Sequence, residues 1–297
     1  MLPVSIVIPT RDRPELLQQT VQSVLAGDSL PAELIVADQS TGPRATLPRS
    51  DEVDIRHLDL SSAGLSRARN SGIAAARYDV LVLIDDDVRV QCDWLRCLVE
   101  ALLAAPARAA VTGTVAPPKT NGFVPSTTTG TKPETYSGRL FADVLFSANM
   151  AIRRPAFEEI GPFDERLGPG AEFPSAEDND FGYRLLEAGC EILFVPQAVL
   201  HHYGVRHGRA LIALDWAYGR GQGAFYAKHM SLSDRHMLRR FRGDAGFRLR
   251  RMSPTIRNLR RALREGLYLV GLVSGALGWW RHSALRAVRR AQGSARR

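Results

Sequence analysis

The sequence contains few cysteines, and none of them forms a pair at a metal-binding spacing. Its 297 residues include three, Cys92, Cys97 and Cys190. Because the number is odd and no CxxC is present, the sequence predicts neither a disulfide framework nor a cysteine-based metal site, and it favours a reducing compartment. The sequence also has no internal repeat or low-complexity tract, which argues against a repeat architecture.

Long hydrophobic segments are scarce as well. The uncharged stretch GLYLVGLVSGALGWW, residues 266–280, has 15 residues. As a helix it would extend about 22 Å, against about 30 Å for the hydrocarbon core of a bilayer. The chain begins MLPVSIVIPT, without a basic segment followed by an apolar one, so we predict no signal peptide. With 45% hydrophobic and 24% charged residues, the composition is that of a globular protein with one large or two small domains.

Charge is distributed unevenly along the chain. Residues 1–200 contain 18 lysines and arginines against 27 aspartates and glutamates, whereas residues 201–297 contain 21 against 4. An acidic body therefore carries a basic C-terminal segment. Such a segment predicts an anionic partner, either nucleic acid or anionic lipid headgroups.

Apolar runs of strand length alternate with amphipathic helical patterns over the first two thirds of the chain. Strands are predicted at residues 4–8, 33–38, 54–60, 79–84 and 109–115, and helices at residues 13–27, 65–78 and 93–105. Residues 144–168 are predicted as a strand and a helix, and residues 175–196 as a helix and a strand. Residues 117–137, rich in Pro, Thr, Gly and Ser, are predicted as a disordered loop or a lid. This order indicates an α/β fold with a mainly parallel sheet covered by helices on both faces.

Three adjacent carboxylates, Asp85, Asp86 and Asp87, follow the strand predicted at residues 79–84. Taken alone, they are explained equally well by a solvated turn or by a divalent cation that neutralises their mutual repulsion. The first and second strands also end in polar segments, at Pro9-Thr10-Arg11 and Asp38-Gln39-Ser40. Because the carboxyl ends of parallel strands form the usual ligand site of such sheets, three polar ends together favour a binding site.

Five segments of the chain, in their order and spacing, resemble glycosyltransferase family 2. The segments are SIVIPTRDRPELLQQTVQSV, ELIVADQS, GLSRARNSGI, VLVLIDDDVRV and AEDNDFGYRLLEAGCEILFVP. The family consists of inverting enzymes of the GT-A fold that use nucleotide-diphosphate sugars. The resemblance implies a GT-A catalytic domain over residues 1–205, with a nucleotide-sugar half at about 1–116 and an acceptor half at about 138–205. A basic helical extension would follow over residues 206–297.

The resemblance also implies which residues bind the substrate. Pro9, Thr10 and Arg11 are expected at the nucleotide, and Asp38 at the base, although Ala37 replaces the acidic residue that usually precedes it. The further residues expected at the substrate are Arg69 and Asn70 beneath the diphosphate, Asp85 and Asp86 at the ribose or cation, and Arg184 on the helix that follows the acidic pair. Asn149, just before MAIRR, is placed on the acceptor side.

The catalytic and metal-binding residues follow from the same comparison. Glu177 and Asp178 match the acidic pair of the family, and Asp178 occupies the position of the catalytic base, although the pair alone would also suit a helix start. Asp85 and Asp87 match the two acidic positions of the DxD motif, which implies Mn²⁺ or Mg²⁺ as cofactor. Of the adjacent His201 and His202, only one can be a further ligand because a strand directs them to opposite faces, and we favour His202.

We therefore predict an inverting, metal-assisted, hexosyltransferase-like enzyme. The favoured donor is a UDP-sugar and the favoured acceptor a glycan or a lipid-linked sugar, in cell-surface polysaccharide or glycolipid synthesis. A nucleotidyltransferase is one alternative, but it should carry a glycine-rich loop where this chain has IPTRDRPEL. A nucleic-acid-binding protein is another, but it leaves the acidic strand ends unexplained, so no nucleic-acid partner is predicted.

The C-terminal segment supports two further predictions. Arginine-rich flanks and the tryptophans Trp279 and Trp280 suggest that residues 266–280 anchor the protein on an anionic membrane surface, with packing on the catalytic domain as the alternative. This predicts a cytoplasmic protein, peripheral on the inner face of the cell membrane. The stretch YGRGQGAFYAKH, residues 218–229, predicts a helix break or a flexible loop that places Arg220 or Lys228 on phosphates. Trp216 and Tyr218 are assigned to helix packing rather than to an acceptor platform.

Overall fold

The structure, a computed structural model, describes residues 1–118, 127–204, 208–252 and 259–294. The chain divides into two compact units, Met1–Glu165 with Asp178–His207, and Arg166–Glu177 with Gly208–Arg297. Residues 166–177, assigned from the sequence to the catalytic domain, thus group with the C-terminal helices. The functional division at residue 205 stays a prediction. The middle of the loop predicted at residues 117–137, residues 119–126, lies outside the described residues.

The first unit contains one mixed sheet, with nine strands in the described part of the chain. The strands are β1 (Leu2–Thr10), β2 (Pro31–Asp38), β3 (Asp54–Asp59), β4 (Val80–Ile84), β5 (Val88–Val90), β6 (Ala110–Ala116), β7 (Glu134–Tyr136), β8 (Asn149–Arg153) and β9 (Ile192–His202). Their order is β3-β2-β1-β4-β8-β6-β9-β5, and β7 pairs with β9. Strands β5, β7 and β8 run antiparallel to their neighbours, and the others run parallel. The predicted, mainly parallel α/β fold is confirmed.

Helices cover both faces of this sheet, as the alternating side chains of its central strands require. They are α1 (Pro14–Leu25), α2 (Leu65–Ala75), α3 (Trp94–Ala104), α4 (Arg154–Ile160) and α5 (Glu177–Glu187). Ile6 and Ile8 of β1 belong to the core that includes α1 and α3, whereas Val7 belongs to the core that includes α2, α4 and α5. A strand with both faces buried has no polar face, which explains why β1 and β4 are continuous apolar runs in the sequence.

The second unit is helical and includes α6 (Arg209–His229), α7 (His236–Met252) and α8 (Leu259–Ser294). Helices α6 and α8 approach closely through glycines: a Cβ on Gly219 would lie 2.0 Å from the carbonyl oxygen of Tyr268, and one on Gly275 would lie 2.0 Å from that of Arg220. The prediction of a break or a loop at residues 218–229 was therefore wrong. The glycines of that stretch, Gly219, Gly221 and Gly223, lie inside α6. The absence of a Cβ there permits close contact between helices.

The cationic side chains of α6 pack on aromatic rings in this unit. The Arg220 guanidinium lies over the rings of Phe173 and Trp216, and the Lys228 amine lies 5.9 Å from the centre of the Trp279 ring. The contact of Arg220 or Lys228 with phosphates stays a prediction. Over the described residues, no helix is both long enough and apolar enough to cross a membrane.

Candidate active site

Asp85, Asp87 and His202 form a cluster at the carboxyl end of β4. Each offers one ligand atom, and these atoms all lie within 4.8 Å of one another. Nε2 of His202 is 3.0 Å from a carboxylate oxygen of Asp87. The histidine reaches the cluster because β5, directly after the three aspartates, pairs with the end of β9 and sets Val88 opposite His202. The structure thus brings together the three residues predicted as metal ligands, and His201 is not among them.

The residues of this cluster fit a divalent cation. Two carboxylates and an imidazole form a donor set that suits Mn²⁺. Nδ1 of His202 is buried and has no hydrogen-bond partner among the described residues. A Cβ on Gly204 would lie 2.7 Å from a carboxylate oxygen of Asp87 and 2.7 Å from the His202 ring, so the glycine keeps this space open. Burial lowers the pKa of His202, but the hydrogen bond and charges of Asp87 and Asp85 outweigh burial and raise it.

The middle aspartate, Asp86, points into the protein. It is buried, accepts a hydrogen bond of 2.7 Å from Oγ1 of Thr10, and pairs with Arg13 at 3.1 Å. Burial raises the pKa of Asp86 to about 6 against the opposing charge of Arg13. Because Thr10 and Arg13 already bind this carboxylate, Asp86 supports its neighbours in the structure. This role differs from the predicted contact with the substrate.

Arg13, which the sequence interpretation missed, links two of the aspartates. Its Nη1 is 3.1 Å from Asp86 and 2.9 Å from Asp87. Arg11, predicted instead, has a half-exposed side chain that lies 3.5 Å from Asp12. The sequence shows an arginine directly before Pro14, the first residue of α1. It does not show whether Arg11 or Arg13 faces the aspartates.

Arg69 and Asn70 lie at the turn of α2 that faces the strand ends. Nη2 of Arg69 donates a hydrogen bond of 2.7 Å to Asp85, and the guanidinium is fully buried over the ring of Phe163. Asn70 donates to the carbonyl oxygen of Phe163 and accepts from its backbone nitrogen. Arg69 therefore holds Asp85 in place, while Asn70 fixes the segment that follows α4.

The carboxyl ends of β1 and β2 lie side by side in the sheet. Pro9 is buried and pairs with Ala37, and Thr10 pairs with Asp38 in the parallel register. Asp38 is nearly buried, accepts a hydrogen bond from the backbone nitrogen of Ser40, and lies 2.8 Å from Nε2 of His57. Burial raises the pKa of Asp38, but the hydrogen bonds from Ser40 and His57 outweigh burial and lower it. Asp38 is thus an ionised group at the predicted nucleotide end of the sheet.

Asn149 occupies a different place from the one predicted. Its side chain is fully buried; it accepts a hydrogen bond from Nε1 of Trp94 and donates to the carbonyl oxygens of Thr114 and Ala198. All of these partners belong to the protein interior, so Asn149 ties β8 to β6 and to β9. This structural role replaces the predicted contact with an acceptor.

Arg184 is likewise bound to the protein itself. Its guanidinium pairs with the buried Asp180 one turn earlier in α5 and donates to the carbonyl oxygens of Ile160, Gly161 and Pro162. The substrate contact stays a prediction. What the structure shows is an arginine in the last turn of α5 that attaches this helix to the end of α4 and the residues after it.

Glu177 and Asp178 begin α5, as predicted from the acidic first turn. Glu177 is buried, Asp178 is partly exposed, and the backbone nitrogen of Asn179 is 3.0 Å from Oδ1 of Asp178. Ala176, which precedes them, has a φ of 68°. A left-handed conformation at a residue other than glycine costs energy and is commonly retained where geometry matters for function.

Comparison with known proteins decides the family. The model of glycosyl transferase family 2 matches residues 5–161, more than half of the chain. The chain belongs to this family. The match covers β1 from Ser5 onward, β2 to β4, α2 and the three aspartates. His202 lies outside it, on β9, which pairs with β5 and β6 of the matched region.

Several curated proteins are similar to this family 2 glycosyltransferase. Glucosyl-dolichyl phosphate glucuronosyltransferase of Haloferax volcanii is 28% identical over 67% of this chain and 68% of its own length. Succinoglycan biosynthesis protein ExoM of Rhizobium meliloti is 30% identical over 71% and 70%. Pre-mycofactocin glycosyltransferase of Mycobacterium tuberculosis is 27% identical over 76% of this chain, and the match spans only 48% of that protein. The family 2 glycosyltransferase thus has relatives in polysaccharide and glycolipid synthesis.

The solved structures support the same fold. The mannosyltransferase PcManGT from Pyrobaculum calidifontis, in complex with GDP-Man and Mn²⁺, superposes with a TM-score of 0.56 over 99% of this chain and 79% of its own. The identity is 15%, so this likeness shows the GT-A fold alone.

Proposed function

We propose that this enzyme transfers a sugar from a nucleotide-diphosphate donor, with UDP favoured, to an acceptor hydroxyl with inversion at the anomeric carbon. The single observation that carries the proposal is the cluster of Asp85, Asp87 and His202 at the carboxyl end of β4 in a GT-A fold. Mn²⁺ or Mg²⁺ held by these three residues would supply positive charge to the oxygens of the leaving diphosphate. The relatives favour a glycan or a lipid-linked acceptor.

Asp178 acts as the general base in this proposal. Its carboxylate accepts the proton of the acceptor hydroxyl, whose oxygen forms a bond to the anomeric carbon. The bond from that carbon to the diphosphate oxygen breaks, and its electron pair leaves with the nucleoside diphosphate. A single displacement of this kind inverts the anomeric centre, whereas a covalent enzyme intermediate would require a second displacement.

The remaining residues of the site hold either the three aspartates or the donor. Thr10 and Arg13 keep Asp86 and Asp87 in place, and Arg69 does the same for Asp85. Pro9, Arg11 and Asp38 stand at the ends of β1 and β2, where we place the nucleotide. The ionised Asp38 suits a hydrogen bond to the N–H group of a base.

A donor screen tests this function directly. The purified protein, incubated with Mn²⁺, a panel of nucleotide sugars and lipid-linked or oligosaccharide acceptors, should release nucleoside diphosphate with one donor above all others. Proton NMR of the product should show the anomeric configuration opposite to that of the donor. Retention of the configuration would contradict the single displacement, and release of sugar 1-phosphate in place of nucleoside diphosphate would indicate nucleotidyl transfer instead.

Helix α8 carries a second part of the proposal because it is apolar on two faces. Tyr268, Leu272, Ala276 and Trp279 are buried inside its own unit. The opposite face presents an outer stripe of exposed apolar side chains spaced by three, four or seven residues: Leu259, Leu263, Val270, Val273, Leu277 and Trp280. A helix of a water-exposed unit normally keeps this face polar, so the outer stripe indicates contact with an apolar partner.

The charges around the outer stripe indicate what that partner is. Arg260 and Arg281 are exposed beside it. Glu265, the acidic residue in the described part of α8, is buried and bound by Arg248 and Arg251. Apolar side chains bordered by cations match the interface of an anionic bilayer. We therefore place the enzyme peripherally on an anionic membrane surface, such as the inner face of the cell membrane.

Charged substitutions in the outer stripe should abolish this binding. Each large apolar side chain moved from water contributes about 1.5–3 kcal/mol, so Val270→Asp with Leu277→Asp should weaken liposome affinity by more than about 100-fold. The measurement is co-sedimentation with phosphatidylcholine vesicles with and without phosphatidylglycerol. Leu103→Asp, at an equally exposed leucine of α3, is the control and should bind like wild type. If the wild-type protein is instead a dimer that the double variant dissociates without lipid, the outer stripe is a subunit interface.

A further inference from the structure

Residues 166–177, here named the base loop, form a tightly hydrogen-bonded segment directly before Asp178. The backbone nitrogen of Phe173 donates to the carbonyl oxygen of Arg166, and that of Gly168 donates to the carbonyl oxygen of Phe173. The backbone nitrogen of Ser175 also donates to the carbonyl oxygen of Phe173 at 2.9 Å. The base loop therefore has a defined internal conformation, although residues 166–176 contain neither a helix nor a long strand.

Helix α6 holds the end of the base loop that is nearest to Asp178. Oγ of Ser175 lies 3.1 Å from the carbonyl oxygen of Ala217 and 3.2 Å from that of Tyr218. A Cβ on Gly221 would lie 2.1 Å from Oγ of Ser175 and 2.5 Å from its carbonyl oxygen. Glycine at position 221 is thus what allows the backbone of the loop to touch the helix.

Helix α8 holds the middle of the base loop. Phe173 is fully buried, and its ring centre is 5.5 Å from that of Trp279, whose ring also lies 3.9 Å from the Arg166 guanidinium. Nδ1 of His282 is 3.2 Å from the carboxylate of Glu172. Phe173 and Trp279 belong to the hydrophobic core of the helical unit, so the loop is one of the parts that build this core.

We propose that α6 and α8 position the catalytic base through the base loop, with Ser175 and Gly221 as positioning residues. This inference rests on the proposed role of Asp178. Three peptide bonds lead from Ser175 through Ala176 and Glu177 to Asp178, and Ala176 is held at a φ of 68°. Contacts fixed at Ser175 oppose relaxation of that conformation, which would rotate the first turn of α5.

Removal of the Ser175 hydroxyl tests this positioning role with little disturbance of packing. A displacement of about 1 Å at a reacting group can cost about 100-fold in rate, so Ser175→Ala should lower kcat by about 10- to 100-fold. The donor KM should remain within about two-fold, because donor and cation contacts belong to other residues. Ser274→Ala is the matched control: it removes a hydroxyl that is bonded to the carbonyl oxygen of Gly271 inside α8 and should keep wild-type kcat.

Added bulk at Gly221 provides the second test, with thermal unfolding used to confirm that each variant is folded. Gly221→Ala should lower kcat with the same unchanged donor KM, whereas Gly243→Ala, where a Cβ meets nothing within 4 Å, should behave like wild type. In an Asp178→Asn background, Ser175→Ala should cause no further loss of kcat, because both changes act through one group. Equal losses in the two backgrounds, or wild-type kcat in both positioning variants, would overturn the proposal. A wild-type rate in Asp178→Asn alone would instead overturn the assignment of the base.

Discussion

Asp178→Asn should lower kcat by at least about 100-fold while the affinity for the donor stays near that of the wild-type enzyme. The substitution keeps the size of the side chain and removes the proton acceptor, and a positioned general base contributes about 10²- to 10⁴-fold. The donor is held by other residues, at the ends of β1, β2 and β4, so its binding should not change. Steady-state kinetics with the preferred donor, combined with calorimetric titration of the nucleotide sugar, separate these two quantities.

Two further variants show whether the effect belongs to Asp178 alone. Glu177→Gln alters the buried neighbour and should lower kcat by less than about 10-fold, since only one group can take the proton. Asp79→Asn changes an aspartate whose side chain is highly exposed, in the segment before β4, and should be silent. A collapse of donor affinity in Asp178→Asn would mean that this residue binds the donor or the cation rather than the proton.

The sequence was a good guide wherever strand geometry alone determines the answer. Asp85 and Asp87 directly follow an apolar run, and the carboxyl ends of parallel strands are where ligands bind. Side-chain alternation along a strand predicted that only one of His201 and His202 could be a ligand, and β9 places His202 against Asp87. Strands β1, β2 and β4 were found because both of their faces are buried, which gives runs of apolar residues that few helices of this length would show. Strand β3 gave a weaker signal because it is only partly buried.

Features that depend on tertiary partners were missed or misassigned. Arg11 and Arg13 are two residues apart in a loop, and only the folded backbone shows that Arg13 faces the aspartates. Asn149 resembles a ligand-binding residue in sequence, yet Trp94, Thr114 and Ala198 bury it. Strands β5 and β7 have three residues each, too few for a periodic signal.

The glycines of α6 show the same limit for helices. Glycine costs about 1 kcal/mol in a helix interior relative to alanine, so three of them within five residues predict a break. In the protein this cost is offset because Gly219 and Gly221 permit contacts with α8 and with the base loop that no larger residue would allow. A local pattern cannot reveal such a contact, since its partners are about 50 residues away along the chain.

Loss of the charge at Asp87 should have the largest effect on the candidate metal site. Asp87→Asn keeps the shape of the side chain but removes the carboxylate nearest His202 and Arg13. A coordinated divalent cation contributes several kcal/mol to stabilising the leaving charge, so transfer should fall by more than about 100-fold. Mn²⁺ affinity, measured by electron paramagnetic resonance in the absence of donor, should fall by at least about 10-fold. EDTA should abolish transfer by the wild-type enzyme, and Mn²⁺ or Mg²⁺ should restore it.

The control for this variant is an aspartate at the end of another strand of the sheet. Asp59 terminates β3, the strand beside β2, where it is exposed and paired with Arg44, so Asp59→Asn should keep both Mn²⁺ affinity and transfer. Arg13→Met gives an opposing test, because the Arg13 guanidinium lies 2.9 Å from the Asp87 carboxylate and competes with any cation for it. That variant should bind free Mn²⁺ more tightly than wild type, whereas Asp87→Asn binds it less tightly. Full transfer in EDTA, or unchanged Mn²⁺ affinity in Asp87→Asn, would show that these carboxylates are structural and that the leaving diphosphate is neutralised by arginines alone.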